Sequence, residues 1–168
     1  MRTNRRKFIS VSMAAGFGAV MPGFSQLTEN LKEKYSHLDA ILNKPVLKSE
    51  LFPDPVIIDT LELLRLNNTF LCRVRSKDGA EGISVANNDQ MRSLYPVFIN
   101  RLQPFFPGKD ARNLEKLLDE VYVYQSNYKM QSLALWVPLA TIEFAILDML
   151  GRISGKSFGE LIGEIHNK

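Results

Sequence analysis

The chain has 168 residues, which is enough for one domain of ordinary size with a tail or targeting segment, but not for two large domains. Its composition, 45% hydrophobic, 10% aromatic and 23% charged, is typical of globular proteins and excludes wholesale disorder. Four of the 21 basic residues lie in the first 25 residues, which contain no acid, so the rest of the chain has no basic excess for binding nucleic acid. One cysteine and two histidines exclude an internal disulfide and make a transition-metal site within the chain improbable.

The N-terminus has the order of features found in a twin-arginine export signal. Arg5 and Arg6 precede Phe8, and an uncharged stretch that is rich in small residues runs to Phe24. That stretch is shorter than the roughly 20 residues that cross a bilayer. We therefore expect residues 1–25 to be a Tat-type signal and the chain to reach the periplasm or cell envelope. A basic tail that is retained on the protein is the alternative.

The next segments predict a peripheral region followed by a small sheet. Residues 26–55 are expected to be a linker or a peripheral helix, since the leucines between 26 and 44 have only a weak helical spacing. Asn67-Asn68 and Lys77-Asp78-Gly79 are typical of tight turns. Between and around these turns, β-branched and alternating apolar residues predict a three-stranded antiparallel meander, with strands at 56–66, 69–76 and 80–85.

Helical periodicity follows the strands. The first helix is expected to begin near Ser93, so that Pro96 falls in its first turn. Asp110 can cap the next helix, and Pro138 can occupy the first position of the longest one. That last helix is so apolar that it should be buried on more than one side, and Gly155 should end it.

These elements and two motifs resemble the N-terminal capping domain of the enolase superfamily, in its mandelate racemase and muconate lactonizing enzyme branch. The resemblance covers about residues 56–163. Its motifs are the helix end Asp148-x-x-Gly151 with the following Gly155–Gly163 run, and the link Pro107–Asp110. The sequence departs from the family at Gly82–Val85, where Gly-Trp-Gly-Glu is common. The Asn67-Asn68 turn also replaces the long mobile loop of the family.

The resemblance implies an α+β fold and a capping, substrate-specificity role. In such racemases, cycloisomerases and dehydratases, a (β/α) barrel holds Mg²⁺ and the bases that remove a proton next to a carboxylate. A barrel needs about 200 residues or more, whereas residues 164–168 supply only the start of a link. We therefore expect this chain to bind no cofactor alone, to be inactive alone and to need a barrel domain in cis or in trans. The alternative is an exported binding module that kept the fold without the enzyme.

The sequence contains no predicted catalytic or metal-binding residue, but two candidate sites for contacts. The resemblance implies that Asn87, Asn88 and Asp89 form a loop that faces the barrel mouth and touches substrate, whereas a plain strand-to-helix turn, capped by Asp89 or Ser93, is the alternative. An unusual number of amphipathic side chains predicts a domain or subunit interface, with ordinary packing as the alternative. These side chains are Tyr122, Tyr124, Tyr128 and Trp136.

Two further residues have structural expectations. Cys72 alternates with Phe70 and Val74 along one strand face, so it should be buried and inert. Asp148 lies on an otherwise apolar helix, where it should form an ion pair or a cap within the domain. A domain that evolved to cover another one exposes apolar surface when it is alone, so weak solubility, self-association into a homo-oligomer or dependence on a partner is expected.

Overall fold

A computed structural model of the chain describes residues 24–163, which fall into two compact units. The first unit ends at Lys44 and contains helix α1, Phe24–Leu42. The second unit begins at Pro45, and Leu47 and Phe52 are buried in its core. Its packed part therefore starts before residue 56, the boundary expected from the sequence. The predicted export residues Arg5, Arg6 and Phe8 lie outside the described residues.

The second unit is built on the predicted three-stranded antiparallel meander, which the structure confirms. The strands are β1, Ile58–Leu66; β2, Thr69–Ser76; and β3, Glu81–Val85, in the order β1-β2-β3. Both predicted turns contain a residue with a positive φ, a backbone conformation that most residues avoid: φ is 54° at Asn67 and 85° at Gly79. Cys72 and Val74 are fully buried on the inner face of β2, as their alternation predicts.

The helix after the sheet begins earlier than the sequence indicated. Helix α2 spans Asn88–Val97, and the Asn87 side chain caps it by accepting a hydrogen bond from the Gln90 amide. The predicted start near Ser93 is thus wrong, and Pro96 lies late in the helix. Because a proline lacks an N–H, the regular ladder cannot continue through it, and the chain changes to a wider π-helical turn at Phe98–Leu102 and a 3-10 turn at Gln103–Phe105.

Asp110 caps a 3-10 turn at Ala111–Asn113 that leads into α3, Leu114–Val123. The longest helix, α4, spans Leu133–Ser154, so the prediction that Pro138 is its first residue is wrong. The amides of Leu135 and Trp136 already donate to the Ser132 carbonyl, which starts the helix before the proline. Gly155 ends α4 with a φ of 65°, as predicted, and the short α5 is Phe158–Ile162.

Helix α4 packs across the inner face of the sheet and provides much of the core. By length and composition it could cross a membrane, but more than half of its most apolar stretch is buried inside the unit, as in a core helix. The buried positions recur at helical spacing and are Leu135, Pro138, Leu139, Thr141, Ile142, Ala145, Ile146, Leu147, Met149 and Leu150.

The closest approach between α4 and the sheet is at Gly82. A Cβ atom at this position would lie 2.1 Å from the Ala145 carbonyl oxygen and 2.4 Å from the Met149 nitrogen. Both atoms belong to the α4 backbone, so they cannot move aside as a flexible side chain would. Beside this contact, the Ile83 amide donates to Asp148 Oδ2 at 2.8 Å, and Arg152 Nε donates to the same oxygen at 2.9 Å. The expected structural role of Asp148 is therefore confirmed.

We predict that Gly82→Ala destabilises the domain by more than about 2 kcal/mol, because the added methyl group must push β3 away from α4. Urea unfolding of the purified chain measures the free energy. The matched control is Gly159→Ala, since the Gly159 position in α5 has open space around it. That control should be neutral or stabilising by up to about 1 kcal/mol. Equal stabilities of the two variants would contradict the close-approach argument.

Candidate functional site

The sequence-predicted capping loop lies at one end of the sheet, beside the β1–β2 turn. The β3–α2 connection is tied to β2 at this end: the Phe70 amide donates to Asn88 Oδ1 at 2.7 Å, and the Ala86 amide donates to the Phe70 carbonyl at 3.0 Å. We call this end of the sheet, residues 65–70 and 86–89, the loop end. Its geometry is held by these two hydrogen bonds and by the buried side chains of Phe70 and Ala86.

The three predicted loop residues have different environments at the loop end. Asn87 caps α2 and Asn88 holds the β2 backbone, so both side chains have structural partners. Asp89 differs, because its side chain is 92% exposed and its nearest cation, Arg92 Nη2, is 3.9 Å away. Of the three side chains, only that of Asp89 is both charged and free to meet a ligand or a partner domain.

The neighbouring β1–β2 turn presents a second charged group and an apolar one. Arg65 Nε donates to the Asn67 carbonyl at 3.1 Å, and its guanidinium lies 5.4 Å from the centre of the Phe70 ring. Leu66 is 66% exposed at the tip of the turn. The loop end therefore combines an anionic, a cationic and an apolar side chain within a rigid frame. These groups can supply binding contacts, but they are not an acid–base pair for catalysis.

The predicted aromatic interface residues do not form one cluster. Tyr122 and Trp136 stack with ring centres 5.6 Å apart and remain partly exposed. Tyr124 instead lies against Phe105 at 5.2 Å, next to the core, and Tyr128 is 82% exposed beside Lys129. The Tyr122–Trp136 pair is thus the part of this set that is available for an interface.

Sequence analysis did not single out Arg101, which organises the segment that carries these aromatic residues. It is 4% exposed, and within the described residues no carboxylate pairs with it. Its guanidinium donates to four backbone carbonyls: those of Tyr124 at 2.9 Å, Met130 and Tyr122 at 3.0 Å, and Val121 at 3.4 Å. Three of these belong to the C-terminal end of α3, where carbonyls lack helical partners and the helix dipole is negative. The signal in the sequence was a charged residue within an apolar helical stripe, between Phe98 and Leu102.

The other titratable groups indicate structural roles. Burial raises the pKa of the Cys72 thiol, so Cys72 stays protonated and unreactive. Burial alone would raise the pKa of Asp110, but hydrogen bonds from Arg112 and from the Val56 amide hold it below its usual value.

A groove of about 450 Å³ lies along α4 and α5, lined by residues such as Phe144, Asp148 and Phe158. Across residues 24–163, no three His, Cys, Asp or Glu side chains come together as metal ligands.

Comparison with solved structures identifies the fold as the α+β arrangement of the N-terminal domain in the enolase superfamily. One neighbour is the mandelate racemase/muconate lactonizing protein from Paracoccus denitrificans Pd1222, with a TM-score of 0.58 and 21% identity over 67% of this chain. A putative racemase from Roseobacter denitrificans has a TM-score of 0.51 and 26% identity over 62%. A muconate cycloisomerase from Azorhizobium caulinodans has a TM-score of 0.52 and 20% identity over 68%. The predicted fold class is confirmed.

The match covers only a part of each neighbour. The chain spans 31% of the Paracoccus protein, 28% of the Roseobacter protein and 32% of the Azorhizobium protein. The Paracoccus protein has also been solved in a complex with magnesium. No family model and no curated protein matches the sequence. The fold is therefore established from structure, and the chain spans about 30% of the length of the solved proteins that it matches.

We predict that Arg101→Met destabilises the domain by more than about 3 kcal/mol, because four carbonyls, all buried or partly buried, lose their donor. Arg101→Lys should recover part of this loss, since an ammonium has three donors but no planar fork. Urea unfolding measures both changes, and hydrogen exchange of amides 121–131 should accelerate in Arg101→Met. The matched control is Arg92→Met, whose ion pair is exposed and should contribute no more than about 0.5 kcal/mol. Similar losses in the Met variants of Arg101 and Arg92 would refute the role of Arg101.

Proposed function

We propose that this chain is the capping, substrate-specificity part of a mandelate racemase/muconate lactonizing-type enzyme. The observation that supports the proposal is the partial match: the chain superposes on about 30% of several such proteins, the share expected for one domain of a larger enzyme. The remaining part of the enzyme would come from a barrel domain in cis or in trans. The reaction class is proton abstraction next to a carboxylate, with Mg²⁺ stabilising the charge that develops.

Mg²⁺ does not fit the residues that the structure describes. An Mg²⁺ site takes carboxylate oxygens in octahedral geometry, and the described residues bring no such group together. In this proposal, the metal and the bases therefore belong to the partner domain. What the chain itself contributes is a shaped, rigid surface against the substrate.

The loop end is the surface that we propose to face the substrate. Its two turns are held at one edge by the Phe70–Asn88 hydrogen bond, so they would move together with the sheet rather than as separate lids. Asp89 would recognise a donor or cationic group on the substrate, and Leu66 would cover an apolar part. The short Asn67-Asn68 turn leaves less reach than a long loop, so the substrate pocket would be correspondingly open.

The proposal is tested by reconstituting an enzyme from two chains. The Roseobacter racemase is produced without the segment that this chain matches, and the full 168-residue chain is added with Mg²⁺. Exchange of α-protons for deuterium in a panel of carboxylic acids is followed by NMR. We predict that the chain alone gives no exchange, and that adding it to the remainder of the racemase raises the exchange rate at least about 10-fold, since an ordered cap positions the substrate.

The specificity role is tested with a matched pair of variants. Asp89→Ala should raise KM in the reconstituted enzyme while kcat changes little, because binding contacts are lost and the bases are not. Asp78→Ala removes another exposed acid, in the β2–β3 turn, and should change neither. Exchange by the chain alone, or a rate that does not respond to saturating chain, would refute the proposal.

We also propose that the N-terminal segment exports the chain by the twin-arginine route. The support is the sequence order of Arg5, Arg6 and Phe8 before an uncharged stretch. Replacing both arginines by lysine keeps the charge but should remove the recognised pair. We predict that the double variant stays in the cytoplasm, as measured by cell fractionation. Replacing Arg2 by lysine is the control and should leave export unchanged; cytoplasmic retention of the unaltered chain would contradict the proposal.

A further inference from the structure

Helix α1 has an apolar side that is exposed along the described part of the helix. Every residue from 31 to 46 is exposed, and the large apolar side chains of α1 are 45% to 72% exposed. Because successive residues of a helix are about 100° apart, these side chains fall within an arc of about 120°. We call this set the α1 stripe: Leu31, Tyr35, Leu38, Ile41 and Leu42.

The remainder of α1 is polar and has no basic excess, since the helix contains two lysines and three acidic residues. Lys34 lies beside Ile41 at one edge of the stripe, and Lys32 and Asp39 lie beyond Tyr35 at the other. A lysine at such an edge can bury its methylene groups and keep its ammonium in water. The side opposite the stripe consists of Glu33, Ser36, His37 and Ala40. The helix thus has the pattern of a boundary between water and an apolar phase.

Two common uses of an apolar helix side do not fit α1. A coiled coil needs an apolar seam over three to four heptads, whereas Leu31, Tyr35, Leu38 and Leu42 cover less than two. A helix that crosses a bilayer needs about 20 predominantly apolar residues, whereas α1 has five charged residues among 19. A helix of this length and pattern can instead lie flat on a bilayer, with its apolar side turned to the lipid.

The sequence before α1 favours a bilayer as the occupant of the stripe. Residues 8–23 carry no charge, and α1 begins at the next residue, Phe24. The apolar part of an export signal enters the bilayer during translocation, so under the proposed export α1 is the first element beyond the inserted part. While that part is attached, contact between the stripe and lipid is an event within one chain, and its effective concentration is high.

We propose that α1 is an interfacial membrane helix, which lies parallel to the bilayer with the α1 stripe inserted at the boundary between headgroups and acyl chains. Tyr35 suits this depth, because its ring is apolar and its hydroxyl can remain among the headgroups. Because α1 has no basic excess, apolar contact drives the binding, and attraction to anionic lipids contributes little. This inference goes beyond the capping proposal and does not depend on it.

The test measures which side of α1 meets the lipid. Tyr35→Trp and Ala40→Trp place an indole on opposite sides of the helix, and the full 168-residue chain is bound to phosphatidylcholine vesicles with brominated acyl chains, which quench nearby tryptophan. These vesicles have no net charge, so the basic residues before α1 gain no attraction. The unaltered chain gives the contribution of Trp136, its one native tryptophan. We expect the added fluorescence to be quenched at least about 3-fold more in Tyr35→Trp than in Ala40→Trp.

A charge within the stripe supplies the second test. Leu38→Glu, combined with Tyr35→Trp, should abolish the quenching, because a carboxylate is costly to place in the apolar phase. The matched control Ala40→Glu adds the same charge on the polar side and should leave the quenching unchanged. Far-ultraviolet circular dichroism establishes that both variants keep their helices.

Equal quenching of the indoles at positions 35 and 40, or quenching that survives Leu38→Glu, overturns the proposal. Self-association that Leu38→Glu disrupts, in a chain that shows no quenching, also overturns it and identifies a second copy as the occupant of the stripe. The vesicle measurement involves neither export nor the exchange of α-protons. Its failure would therefore leave the export and capping proposals as they stand.

Discussion

The contact between Gly82 and the α4 backbone is the constraint on which the second unit depends. A helix normally packs on a sheet through side chains at about 10 Å, but here the backbone of β3 lies directly against the turn that contains Ala145 and Met149. The Asp148–Ile83 hydrogen bond beside it satisfies an outward amide of an edge strand. Together they fix α4 relative to the sheet, and so fix which of its sides is buried and which is left facing outward.

A second constraint is the set of hydrogen bonds that the buried Arg101 donates. Arg101 binds carbonyls from the end of α3 and from the following 3-10 turn, so the connection between α3 and α4 is held by one buried cation rather than by a small core of its own. A buried charge is tolerated there because the guanidinium donates four hydrogen bonds to carbonyls that water would otherwise have to satisfy. The position of the Tyr122 ring against Trp136 is a consequence, because the Tyr122 carbonyl is one of the four acceptors.

Local backbone chemistry explains which parts of this fold could be read from the sequence. The turns at Asn67 and Gly79, the stop at Gly155 and the Asp110 cap each depend on one residue type at one position, and the structure confirms all four. The starts of α2 and α4 were wrong because both were placed by a proline, whereas Asn87 and Ser132 begin these helices upstream. Arg101 and Gly82 depend on contacts between distant segments, which periodicity along the chain does not contain. At the loop end, the sequence indicated the segment 87–89 as a whole, and only the structure separates the two asparagines with structural partners from the exposed Asp89.

The apolar residues of α4 lie on two sides of the helix, an inner side that is buried in the core and an outer side that is partly exposed. Its inner residues pack against the sheet and the core. This packing requires an amphipathic helix with apolar residues on that side only. Trp136 and Phe144 on the outer side of α4 are not explained in the same way, because about half of each side chain is exposed and such surface increases the risk of aggregation. Such a cost is kept where the surface is covered in the working assembly. The contact at Gly82 holds β3 against the α4 backbone, and it therefore sets where this outer side lies relative to the sheet.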